Sequence, residues 1–182
     1  MGYKWWSFIA LLLFGTGLAL GLATPPSIAN LMSEDIAMLK ELSRILVPFS
    51  ILTFILIFIK NALALVISFV LSPILCLAPI LSLIVNGWLL IFISGPVIQE
   101  KSLGFVLAGL LPHGIFEIPA LIIGQAAALS FGAMAILALF SKGKRNLLLS
   151  NLRWSLRYLL VALALLLPAA IIETYITPLF LT

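Results

Sequence analysis

Charge is the scarcest commodity in this 182-residue chain: only 9% of its residues are Asp, Glu, Lys or Arg. Soluble domains carry about 25% charged residues and about 45–50% apolar ones. Here 64% are hydrophobic, and the mean hydropathy is +1.31. So few charges cannot cover that much apolar surface in water, so lipid must be the solvent for most of the exterior. Cysteine is almost absent as well. Cys76 stands alone, which excludes an intrachain disulfide and leaves the redox compartment unread. One histidine, His113, rules out a two-histidine metal motif of the H-E-x-x-H kind. There is no Walker A loop and no G-x-S-x-G nucleophile elbow, so neither nucleotide binding nor a serine hydrolase is suggested.

The net charge of +4 raises the question of nucleic acid, and the placement of the cations answers it. Lys142, Lys144, Arg145, Arg153 and Arg157 lie together between two apolar stretches with no acidic residue among them. Such clustering is the signature of a cytoplasmic loop under the positive-inside rule. The expected partner is therefore a bilayer rather than nucleic acid, and the expected location is the cell membrane.

A bilayer core about 30 Å thick needs roughly 20 apolar residues per crossing helix. The chain has room for about five. The fold class expected is all-α, a polytopic transmembrane bundle in one integral domain over 1–182. Trp5 to Ala23 follows Lys4 and reads as the first span, with a cytoplasmic N-terminus; the alternative is a cleaved signal peptide ending near Ala23. Residues 27–47 are the most polar stretch, with Ile28, Leu31, Met32, Ile36 and Leu39 at roughly helical spacing, and suggest an external amphipathic helix. Phe49 to Leu71 and Pro73 to about Ile93 read as spans two and three. The basic segment 141–158 reads as a cytoplasmic loop, and the last span runs from about Leu159 to Tyr175. Gly17 and Gly21 are spaced for close helix packing, a common motif in apolar helices.

Gly104 to Phe140 is too long for one straight crossing at 1.5 Å per residue. Pro112 and Pro119 interrupt it. Each lacks an amide donor and disfavours helix in the residue before it. The expectation is a broken or re-entrant helix around Pro112–Pro119, facing the bundle interior, because non-helical backbone in a membrane needs protein or water around it.

Ionisable groups inside a membrane are expensive and are functional candidates by default. The candidates for ion or metal binding are His113, Glu117, Asn86, Asn61 and Glu173; Lys60 and Gln125 are further polar groups in apolar surroundings. His113 and Glu117 are four residues apart and share a face if Pro112 starts a helical turn. An imidazole and a carboxylate can hold a proton or supply two ligands to a metal, with Asn86 or Glu173 completing the set. The competing expectation is that the pair merely satisfies itself and the carbonyls freed by the prolines.

The run Leu111-Pro112-His113-Gly114-Ile115-Phe116-Glu117-Ile118-Pro119-Ala120 resembles the signature of the stage II sporulation protein M family. Asn61, Asn86-Gly87, Gly124, Ile172-Glu173 and Thr177-Pro178 match the family pattern in the right order, over roughly Leu46 to the end. The resemblance implies a multi-span protein of about this size. It also implies that Pro112, Gly114, Pro119, Gly87 and Gly124 are structural motif positions. In endospore formers the namesake acts with two peptidoglycan-remodelling partners and holds them at the membrane; relatives also occur in organisms that make no spores. No catalytic residue carries over. Three functions follow as expectations. The first is a non-enzymatic scaffold or assembly factor, as a homodimer or with membrane-associated protein partners. The second is a cation or proton pathway through the broken helix. The third, more remote, is a metal-dependent intramembrane hydrolase using Glu117.

Overall fold

A computed structural model describes residues 2–25 and 47–181. Among these it is all-helical, with α1 over Tyr3–Ala23, α2 over Ile51–Leu71, α3 over Leu77–Glu100, α4 over Leu103–Phe140 and α5 over Lys142–Ile171. All five are long and apolar enough to cross a membrane, as the hydropathy predicts. A π turn over Ile172–Ile176 and a 3-10 turn over Thr177–Phe180 follow α5. The amphipathic segment expected at 27–47 lies outside the described residues except for Val47.

The prolines do not break α4. The helix is continuous for 38 residues through Pro112 and Pro119, which corrects the broken or re-entrant helix expected there. Pro96 in α3 and Pro168 in α5 are accommodated in the same way. The physical reason is the solvent. Each proline withholds one backbone donor, but an unwound segment in lipid would expose several polar groups at several kcal/mol each. Losing one bond costs less than losing a turn. At about 57 Å, α4 outruns a hydrocarbon core of about 30 Å. At its junction with α5, Leu139 to Leu147 are all exposed. The segment expected as a basic loop over 141–158 is helical from Lys142 onward, joined to α4 through the extended Ser141.

The bundle is organised by small residues and a buried amide. Helix α1 lies against α3 with Gly17 facing the Ile84 carbonyl and Gly87 facing the Phe14 carbonyl, so closely that a methyl on either glycine would overlap backbone. Gly21 abuts Ile91 and Trp88 on the same seam. The Gly17–Gly21 spacing, unremarkable in sequence, is thus one half of a glycine-lined crossing whose other half is Gly87. Trp88 Nε1 donates to Thr24 Oγ1 at 2.8 Å at the end of that crossing. Helices α4 and α5 pack as an extended antiparallel pair, and α2 runs parallel to α4. Successive contacts fix that register: Asn61 meets Glu117, Leu65 meets Gly124, Ser68 meets Gln125, and the Ser72 carbonyl meets Gly132.

Gln125 is fully buried where α2, α3 and α4 meet. Ser68 Oγ donates to its Oε1 at 2.6 Å, and its Nε2 donates to Ser82 Oγ at 2.8 Å. One side chain therefore ties three helices with both ends satisfied. Interhelical hydrogen bonds in membranes contribute about 0.6–2 kcal/mol. Gln125→Ala is expected to destabilise the bundle by about 2 kcal/mol, since it leaves a void and two serine hydroxyls without this partner. Thermal unfolding in detergent micelles measures this; an unchanged midpoint would show that the amide does not hold the three helices together.

Candidate functional site

His113 and Glu117 share a face of α4 as their spacing predicts, with His113 Nε2 3.8 Å from Glu117 Oε2. The helix itself presents them; no break is needed. The neighbouring α2 supplies Asn61, whose Nδ2 donates to Glu117 Oε1 at 3.2 Å. The chain end supplies the rest. Where α5 loosens into the π turn, Glu173 turns toward α4, and one ligand atom each from His113, Glu117 and Glu173 lies within 4.8 Å of the other two. Thr177, one turn on, places its Oγ1 3.3 Å from His113 Nδ1. π turns concentrate at functional sites because the extra residue re-aims side chains.

Glu173 lies within electrostatic reach of Glu117 and Lys60. Two carboxylates so close in apolar surroundings need positive charge between or beside them. Lys60 offers one from the exposed side of α2, and His113 offers another when protonated. The His113 side chain is 12% exposed and that of Glu117 35% exposed, so the cluster is sheltered but reachable.

Two large cavities adjoin it. One, of about 510 Å³, runs along α4 and is lined by apolar side chains such as Phe14, Leu90 and Leu111, with His113, Glu117 and Asn86 as its polar wall. The other, of about 500 Å³, is lined by Pro48, Phe49, His113, Glu173 and Thr177. His113 is the residue common to both. A third cavity of about 50 Å³ lies deeper, between Asn61, Ser82, Asn86 and Glu117.

Of the residues singled out in sequence, four meet: His113, Glu117, Asn61 and Glu173. Asn86 does not bond to them. Its Nδ2 donates to the Ser82 carbonyl of its own helix at 2.7 Å, and it reaches the cluster only as a wall of the shared cavities. The motif glycines divide too. Gly87 and Gly124 sit in close approaches, the latter with Leu65 Cδ2 2.9 Å from where a Cβ would stand, whereas Gly114 has ordinary room. Pro112 and Pro119 lie within the helix. Thr177, which the sequence marks through the Thr177-Pro178 match to the family pattern and not as a polar partner, is the residue that meets His113 Nδ1.

These features define a multi-pass α-helical membrane protein with a polar cluster enclosed among α2, α4 and the turns after α5. The chain belongs to the stage II sporulation protein M family, whose family model matches residues 8–178. The match extends the resemblance through α1. An uncharacterised protein of Methanocaldococcus jannaschii is 33% identical over 103 residues, which is 56% of this chain and 58% of that protein. The match thus covers less than two thirds of the relative's own length. No solved structure matches the chain.

Proposed function

We propose that this protein binds a cation within the bilayer at His113, Glu117 and Glu173, and that the site belongs to a cation or proton pathway through the bundle. The observation that carries this reading is the convergence of one imidazole nitrogen and two carboxylates within 4.8 Å. Three such donors suit a divalent metal ion, and the two carboxylate charges balance it. Asn61 orients Glu117 by a hydrogen bond, as outer partners of metal-binding carboxylates do. The cavities on either side of His113 supply approaches, which a mere structural ion pair does not require.

The test uses purified full-length protein stripped with chelator and titrated with zinc or manganese alone. The expected result is one ion per chain, with binding lost in Glu117→Gln and in Glu173→Gln while both variants remain folded. The companion measurement is flux of the bound metal, and of protons, into proteoliposomes. Folded wild-type protein that binds no metal and passes no protons would overturn the proposal.

Family membership favours a second reading, a non-enzymatic scaffold that holds partners at the membrane, as a homodimer or with other membrane-associated proteins. On that reading the cluster holds the last turns of the chain against α4. His113→Ala and Glu117→Ala would then impair assembly and nothing else. A variant that assembles normally yet loses function in cells would exclude it.

A further inference from the structure

A second cavity system lies at the opposite end of the bundle, remote from the His113 cluster along α4 and α5. It has a volume of about 380 Å³ and is walled by Tyr3 of α1, Ser130 of α4, and Asn151, Trp154, Ser155 and Tyr158 of α5. The wall is well defined. Tyr3 stacks on Tyr158 with ring centroids 3.4 Å apart, and its hydroxyl donates to the Ile123 carbonyl at 2.7 Å. Asn151 Nδ2 donates to Ser130 Oγ at 3.1 Å, while its buried Oδ1 has no hydrogen-bond partner. Serine hydroxyls, amides and aromatic rings together make a surface suited to a group that is polar at one end and joined to hydrocarbon at the other.

Among the described residues, one cation is seated against the cavity wall and two more stand next in sequence to wall residues. Arg157 carries its guanidinium 4.9 Å over the Trp154 ring, and Trp154 lines the cavity. Lys4 follows Tyr3 in the sequence of α1, and Arg153 precedes Trp154 in that of α5; these two and Arg157 are exposed. No acidic residue occurs from 141 to 158. A pocket between helices, flanked by cations at the level of an aromatic belt, is the arrangement that recognises anionic lipid headgroups. Bulk hydrocarbon would fill an apolar groove, but it gains nothing from these hydroxyls or cations.

We propose that this cavity seats the headgroup of an anionic phospholipid, its phosphate beside Arg157, Arg153 and Lys4. The seat couples the start of α1 to the α4–α5 pair through the bound lipid. It is independent of the cation site and stands or falls separately.

Native mass spectrometry of the full-length protein, released from micelles containing equal phosphatidylglycerol and phosphatidylcholine, tests it. Retention of phosphatidylglycerol over phosphatidylcholine is expected. A cation near the membrane surface contributes about 1 kcal/mol to attracting anionic lipid, so Arg157→Gln should lower that preference about fivefold. Lys101→Gln, at the far end of α3 where Lys101 lies over Phe105, should leave it unchanged. Ser150 is exposed yet lines the cavity, so Ser150→Phe should fill the seat and abolish the preference with every charge retained. Equal retention of the two lipids would overturn the proposal. So would an equal loss in Lys101→Gln, which would mean general attraction, or a preference that survives Ser150→Phe, which would mean a lipid annulus held by the cations alone. Displacement of the lipid by millimolar glycerol 3-phosphate would make the ligand a soluble phosphoester and also overturn it.

Discussion

Gly87→Leu is expected to prevent the bundle from assembling, and Gly87→Ala to destabilise it by about 1–3 kcal/mol or more. The seam between α1 and α3 has no slack. A methyl on Gly87 would overlap the Phe14 carbonyl and come within 3.0 Å of the Leu18 amide nitrogen; a methyl on Gly17 would overlap the Ile84 carbonyl. These are backbone atoms, so no rotamer change relieves the clash, and the helices must separate. Overpacking costs about 1–3 kcal/mol even where side chains can yield. Separation also breaks contacts along the whole seam, including the Trp88–Thr24 hydrogen bond. In lipid, little drives α1 back, because lipid tails are as apolar as the surface it leaves and packing is the main attraction between helices. Gly15 and Gly95 are the controls. Nothing lies within 4 Å of a Cβ at either, so alanine there should be neutral or stabilising by up to about 1 kcal/mol. Size-exclusion profiles and thermal midpoints in detergent distinguish the outcomes. Equal behaviour of Gly15→Ala and Gly87→Ala would mean the crossing is not as close as described.

The contrast between those glycines also shows what could be read in the sequence. The five spans were legible because hydropathy depends on composition along the chain and needs no knowledge of neighbours. The His113–Glu117 pair was legible because i,i+4 spacing is a local property of any helix, and Asn61 and Glu173 were legible as polar groups in costly surroundings. The sequence left Asn86 and Glu173 as alternatives to complete the pair, and which of them meets it was not legible. It depends on α2 running parallel to α4 in one register and on a π turn that brings Glu173 round, and neither leaves a local pattern. Asn86 carries the same cost signal, yet it resolves that cost by bonding to its own helix. Gly17-x-x-x-Gly21 looked like a common motif because its partner, Gly87, is remote in sequence. The continuity of α4 through Pro112 and Pro119 departs from the sequence expectation for a different reason. Proline rules calibrated in water assume that unwound backbone can bond to solvent, and α4 has none to use.

That reasoning makes Pro119→Ala a discriminating substitution. Pro119 is exposed, so its ring contributes little to the packed core, while Ala120 beside it is fully buried. In a continuous helix, the proline denies the Ile115 carbonyl its usual donor and crowds it with the ring. Alanine restores the donor and removes the crowding, and the difference in an interior helical position is about 3 kcal/mol. The variant is therefore expected to melt at higher temperature than the natural chain. A genuine break at this position would reverse the sign, because alanine would then favour a helix the fold does not contain. The same change acts on the cluster. Glu117 stands two residues before Pro119, in the turn whose hydrogen bonding the proline weakens. Tightening that turn is expected to shift Glu117 relative to Asn61 and Glu173 and to weaken cation binding while stability rises. A gain in stability with loss of binding would mean that Pro119 is retained for the geometry of the site at the expense of the helix, the usual trade at functional positions. A gain in both would leave the proline without a role in the site, and a loss of stability would show that its ring holds packing that alanine cannot replace.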